Sequence, residues 1–177
     1  ILYQPCVRRV VKGPNPYGDG DGDGHDFIYF TTNAFSCQYS TTPTHGESTK
    51  DGIYVTRVNR TTGIVKPFID NNTKFQYLPI SDLNTDGIGF TKDGTMYIVT
   101  ASFVDPTSRT SIYRITKDTL KKHVRACSKV PLPNGPSDGC QLVAGGILPW
   151  RAIHSLNSMA ISPDEKFLVI GVGAACS

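Results

Sequence analysis

No stretch of this sequence approaches the ~20 consecutive apolar residues that a membrane-spanning helix needs. No N-terminal signal segment is visible either; the chain opens on "ILYQPC" and reads as a mature or trimmed product. Net charge is only +3, and "LKKHVR" at 120–125 is the single basic cluster, which reads as a solvated turn or strand face. A nucleic-acid footprint is therefore not expected. Helical periodicity is nearly absent. There is no G-x-S-x-G, Walker or Rossmann pattern. His25, His45 and His123 are scattered without ligand spacing, and none of the five cysteines has the spacing of a zinc site.

What is present is a β-rich pattern. Tyr, Thr, Val, Ile and Phe gather in short runs, and Gly, Pro, Asn and Asp separate them. The runs cover 26–34, 52–59, 63–69, 87–92, 95–103, 111–117, 141–146, 156–162 and 166–174. They indicate an all-β fold. The chain's 177 residues suffice for one domain with a sizeable core, and 38% hydrophobic with 19% charged residues is ordinary for a globular protein.

Cys6, Cys37, Cys127, Cys140 and Cys176 are widely spread, which suits a secreted protein with structural disulfides. Cys127 and Cys140 flank the turn-rich "SKVPLPNGPSDG" and are the first pair expected. Five is an odd number, so a partner for Cys176 is expected outside the chain. The sequons "NRT" at Asn59 and "NNT" at Asn71 are candidate glycan acceptors. Together these features predict an extracellular location.

"YGDGDGDGHDF" at 17–27 is the densest chemical feature. Asp19, Asp21 and Asp23 stand at alternate positions with Gly24 following, the first half of a calcium loop. Alternate carboxylates can wrap one Ca²⁺, and glycine permits the positive φ that such a wrap needs. Asp26 and the backbone carbonyl of His25 complete the candidate set. The twelfth loop position is Phe30 rather than Glu, and a strand-like run follows, so the loop is not an EF-hand. It resembles the aspartate-rich loops that lead into strands of secreted β-propellers. The competing reading is a flexible or unoccupied turn.

Two stretches echo each other. "TDGIGFTKDGTMYIVTAS" (85–102) and "LNSMAISPDEKFLVIGVG" (156–173) each run small-residue entry, strand, K-D-G or P-D-E turn, and apolar strand. Ile88 and Met159 lie 71 residues apart in this alignment. A second echo links "GIYVTRVNRTTG" (52–63) with "SIYRITKDTL" (111–120). Repeats of this kind mark propeller blades, whose middle strands are apolar because both faces are covered. Three blade portions are expected, at about 1–80, 81–147 and 148–177. A closed propeller needs at least about four blades, so the remaining blades are expected on the same or another chain.

Residues 84–177 resemble the soluble quinoprotein glucose and sorbosone dehydrogenases. The elements that carry the likeness are Gly87-Ile88-Gly89-Phe90, Asp93-Gly94, Tyr97-Ile98-Val99, Tyr113-Arg114, Leu148-Pro149, His154, Ser162-Pro163-Asp164 and "GVGAACS". The resemblance implies a six-bladed propeller with pyrroloquinoline quinone and calcium in an axial pocket. It implies that His154 is the base that takes a proton from a sugar hydroxyl while hydride passes to the quinone. The chain departs from the family in having Asn157 where an Arg is common, and Glu165 in place of the turn glycine. Gluconolactonase-type propellers offer a second likeness. There Asp86 and Asn157, at the entries of consecutive blades, would supply oxygen ligands to an axial divalent ion, as a metal-dependent hydrolase requires. A third reading is a non-catalytic extracellular propeller that serves as a structural or binding module.

Overall fold

The computed structural model describes residues 6–16, 24–33, 52–67, 76–79, 84–101, 110–118, 140–145 and 156–172. Every element in them is a β-strand, in three antiparallel sheets. The first sheet holds β1 (Cys6–Gly13), β2 (His25–Asn33), β3 (Gly52–Asn59), β4 (Val65–Pro67) and β5 (Gln76–Pro79). The second runs β6 (Asn84–Phe90), β7 (Met96–Ala101), β8 (Thr110–Ile115), β9 (Cys140–Ala144). The third pairs β10 (Leu156–Ile161) with β11 (Leu168–Val172). Among the described residues no helix is long and apolar enough to cross a membrane.

The second sheet lies between the other two, and strand alternation explains how. Successive side chains point to opposite faces. Ile88 of β6, Met96 and Ile98 of β7, and Tyr113 and Ile115 of β8 pack with Phe27, Tyr29, Ile53 and Val55 of the first sheet. The intervening residues turn the other way. Val99 and Ile112 close on Met159 of the third sheet, with Tyr97, Leu168 and Ile170 beside them. This explains why "MYIVT" reads as a continuous apolar run: both of its faces are buried. Gly87 and Gly89 leave room for β10, since a Cβ at Gly87 would stand 3.2 Å from that of Met159.

The three sheets share one register. In β6, Thr85 pairs Thr100 and Gly87 pairs Val99, so Asp86 is an extra residue, a β-bulge. In β10, Leu156 pairs Val172 and Ser158 pairs Gly171, so Asn157 is the extra residue. In β1, Val7 pairs Thr32 and Arg9 pairs Thr31, and Arg8 is the extra residue. A second bulge also repeats. Tyr77 is extra on β5 between the partners of Ile53 and Tyr54, and Val143 is extra on β9 between the partners of Ile112 and Tyr113. The sequence echoes therefore fall on equivalent positions: Val10, Ile88 and Met159 on the entry strands, and Ile53 with Ile112 on the third strands.

The hairpin turns repeat too. Thr91 N bonds to Thr95 O, Gly94 N to Thr91 O, and the Thr91 hydroxyl to Asp93. In the third sheet Ser162 N bonds to Phe167 O, Glu165 N to Ser162 O, and the Ser162 hydroxyl to Asp164. Gly94 has φ 86° and its counterpart Glu165 has φ 59°. A side chain at positive φ costs about 1 kcal/mol. The Glu165 carboxylate accepts a bond from the Lys92 amide of the preceding turn, and Lys92 Nζ donates to Pro163 O. Glu165→Ala keeps the strain and loses the contact, so it should lower stability by about 0.5–1 kcal/mol. Glu165→Gly loses the contact and relieves the strain, and should fall within about 0.5 kcal/mol of the parent. Urea unfolding of the two variants checks this order.

Donated hydrogen bonds hold both turn aspartates below the usual carboxylate range, the Thr91 hydroxyl first for Asp93 and the Ser162 hydroxyl first for Asp164. A carboxyl lowered in the folded state stabilises above its unfolded value, and that contribution disappears as pH falls through the folded value. The melting temperature should therefore drop below about pH 4. Asp93→Asn and Asp164→Asn should flatten that drop, which a series of melts from neutral pH to pH 3 measures.

Candidate functional site at the entry-strand bulges

β6 lies against β1 on one side and β10 on the other. The bulge residues Arg8, Asp86 and Asn157 therefore occupy one register position on three neighbouring entry strands. An extra residue interrupts the ladder and re-aims the chain, and such bulges recur beside binding sites. Asp86 and Asn157, which the gluconolactonase-type likeness assigns to an axial divalent ion, are thus equivalent positions of adjacent sheets. Arg8 is the third member. It escapes the alternation of apolar residues because Arg8-Arg9 breaks the run "CVRRVV". A charged pair inside an apolar strand was the signal that could have found it.

Arg9 follows the first bulge. It is half-buried, and its Nε is buried with no hydrogen-bond partner. A guanidinium N–H left in this state costs free energy until an acceptor arrives. Arg9 shares the face of Val11, which packs against the core between the first two sheets. The entry edge therefore offers a cation suited to a carboxylate, beside the Asp86 position.

The aspartate-rich segment enters β2 at His25. Its Asp19, Asp21 and Asp23 lie outside the described residues, as do His154, Asn71 and Cys127. Cys140 opens β9. Asp26 has other partners: its Oδ1 accepts from Arg60 Nε at 2.8 Å and lies 3.0 Å from Lys12 Nζ. Arg60, and then Lys12, hold its carboxyl below the usual range. Two cations on one oxygen oppose a divalent ion there. As placed, the Asp26 carboxylate is occupied by Arg60 and Lys12. Among the described residues no group of three His, Cys, Asp or Glu side chains is arranged to hold a metal.

Asn59 ends β3 and shapes the turn that follows. Its Oδ1 accepts from the amides of Thr61 and Thr62 at 3.0 and 2.8 Å. This is the local bond by which Asx residues fix turns. Beside it a cavity of about 360 Å³ is lined by His25, Arg57, Asn59, Thr62, Ile64 and Lys66. Arg57 and Lys66 stand directly opposite across the β3–β4 pair. Like charges so placed repel, and their field attracts anionic groups.

No family model, curated protein or solved structure matches this chain.

Proposed function

We propose that the chain is part of a β-propeller of the quinone-dependent sugar dehydrogenase type, with its ligand site at the entry-strand bulges. The observation that supports this reading is the shared bulge register of Arg8, Asp86 and Asn157, followed by the unpartnered Nε of Arg9. In a six-bladed propeller the entry strands line the axis, and the three bulge residues would lie around its mouth. Arg9 would hold a carboxylate of pyrroloquinoline quinone, and Asp86 and Asn157 would orient the cofactor or its calcium. The quinone would supply the redox chemistry. His154 is proposed as the base for the sugar hydroxyl, a role suited to imidazole near neutral pH. The aspartates of 19–23 are proposed as a separate calcium loop in an extracellular, glycosylated and disulfide-tied protein.

The test is a titration of the protein with pyrroloquinoline quinone in the presence of Ca²⁺, followed by dye-linked oxidation of glucose and sorbosone. The reading expects saturable quinone binding that Arg9→Gln weakens at least about tenfold, since one charge-assisted hydrogen bond is lost. It also expects that EDTA lowers the melting temperature. Absence of quinone binding with calcium retained would favour the structural or binding module. Absence of quinone binding with lactone hydrolysis dependent on Asp86 and Asn157 would favour the hydrolase.

A further inference from the structure

The cavity at the end of β3 gathers cations and hydrogen-bond donors. His25, Arg57, Asn59, Thr62, Ile64 and Lys66 line it. Strand alternation brings the charged pair and its neighbours to one face. His25 pairs Asn59 and Phe27 pairs Arg57 across β2–β3, and Arg57 pairs Lys66 across β3–β4. Residues directly opposite, and residues two apart on one strand, share a face. Asp26 follows His25 in sequence and alternates to the other face, where Arg60 and Lys12 hold it. Among the described residues neither Arg57 nor Lys66 has a carboxylate partner. Cβ atoms of such a cross-strand pair stand about 5 Å apart, so the two charges repel. The polar groups beside them are set to donate. Asn59 turns its Oδ1 to the amides of Thr61 and Thr62, which leaves Nδ2 as a donor. Thr62 Oγ1 accepts from Ile64 N at 3.3 Å, which leaves the hydroxyl hydrogen to donate.

We propose that this cavity binds a tetrahedral oxyanion group, phosphate or sulfate. A dianion between Arg57 and Lys66 balances both charges and removes their repulsion, whereas a single carboxylate balances one. Arg57 supplies a fork of N–H donors and Lys66 a compact charge, a division of labour suited to a phosphate or sulfate. The Thr62 hydroxyl and Asn59 Nδ2 are donors for the remaining oxygens. A volume of about 360 Å³ leaves room for a small molecule that carries the group, since ligand pockets run from roughly 300 to 1,000 Å³. Arg57 and Lys66 are exposed, so salt weakens the attraction. The site lies at the opposite end of the first sheet from Arg8. It is therefore separate from the entry-strand bulges and depends on neither quinone nor calcium.

The experiment is isothermal titration calorimetry of the full chain with inorganic phosphate, sulfate, glycerophosphate and acetate at one ionic strength. The parent should bind the first three saturably, and acetate at least about tenfold more weakly. Arg57→Gln and Lys66→Gln should each weaken phosphate binding at least about tenfold, the scale of one lost charge-assisted hydrogen bond. Each variant also removes a like-charge repulsion, so its melting temperature without ligand should hold or rise. Phosphate should raise the melting temperature of the parent and leave that of the variants unmoved. Tighter binding of glycerophosphate than of phosphate assigns the site to a phosphorylated small molecule, and equal binding assigns it to the free ion. No saturable binding up to ~10 mM, beyond a millimolar Kd, overturns the proposal. So does phosphate binding that both variants keep, or acetate binding as tight as that of phosphate. Quinone binding is not read in this experiment, so its failure leaves the cofactor reading to its own test.

Discussion

Tyr29→Ala should lower the unfolding free energy by about 3–5 kcal/mol, the range for removing a fully buried aromatic. Tyr29 is fully buried and joins three things at once. Its ring centroid lies 4.6 Å from that of Phe90 on the second sheet. Its hydroxyl donates to Pro14 O at 2.8 Å, which ties β2 to the end of β1. It also packs in the cluster that holds Ile88, Ile98 and Tyr113. Tyr29→Phe removes only the hydroxyl and should cost about 1–2 kcal/mol, because the Pro14 carbonyl loses its donor while the packing stays. Chemical unfolding of both variants separates the two contributions. A loss for Tyr29→Ala below about 1 kcal/mol, the ordinary scale of an unremarkable site, would mean that the first two sheets do not share this core.

Gly87→Leu is the second large effect, and it should act on a different interface. A Cβ at Gly87 would meet the Met159 Cβ at 3.2 Å, the Met159 backbone N at 3.3 Å and the Val99 Cβ at 3.3 Å. A backbone atom cannot step aside as a flexible side chain can. The third sheet must therefore move away from the second, uncovering Met159, Val99 and Ile112. Overpacking costs of this kind run to about 1–3 kcal/mol. The distinguishing result is local: hydrogen exchange should speed up in 156–172 while the β1–β3 amides keep their protection. Uniform acceleration across the chain would show that the third sheet does not move as a separate layer.

The all-β fold was legible in the sequence because its signals are local. Turn residues separate the β-branched and aromatic runs, and all nine runs overlap strands, β2 to β4 and β6 to β11. β1 and β5 were not legible. In "CVRRVVKG" the bulge shifts the alternation by one residue at Arg8, and "QYLP" is too short to show a period. The echo of Ile88 with Met159 was legible, and its cause is physical: both side chains fill the gap to the preceding sheet. The bulges themselves were not, because a bulge is defined by the partner strand and no single strand displays it. Asp86 and Asn157 stood out as polar residues at strand entries, whereas Arg8 lacked any apolar alternation to stand against. Asp26 shows the converse limit. Proximity in sequence placed it with the aspartates of 19–23, yet its charge is met by Lys12 of β1 and by Arg60 of the turn after β3, which only the fold brings beside it.

The central claim is that the sheets repeat one register, with the extra residue at the same place on each entry strand. Cross-strand nuclear Overhauser effects of the labelled protein test it most directly. The account predicts contacts joining Thr85 to Thr100 and Gly87 to Val99, and Leu156 to Val172 and Ser158 to Gly171, with Asp86 and Asn157 skipped. Contacts that place Asp86 opposite Val99, with every later pair moved by one residue, would contradict it.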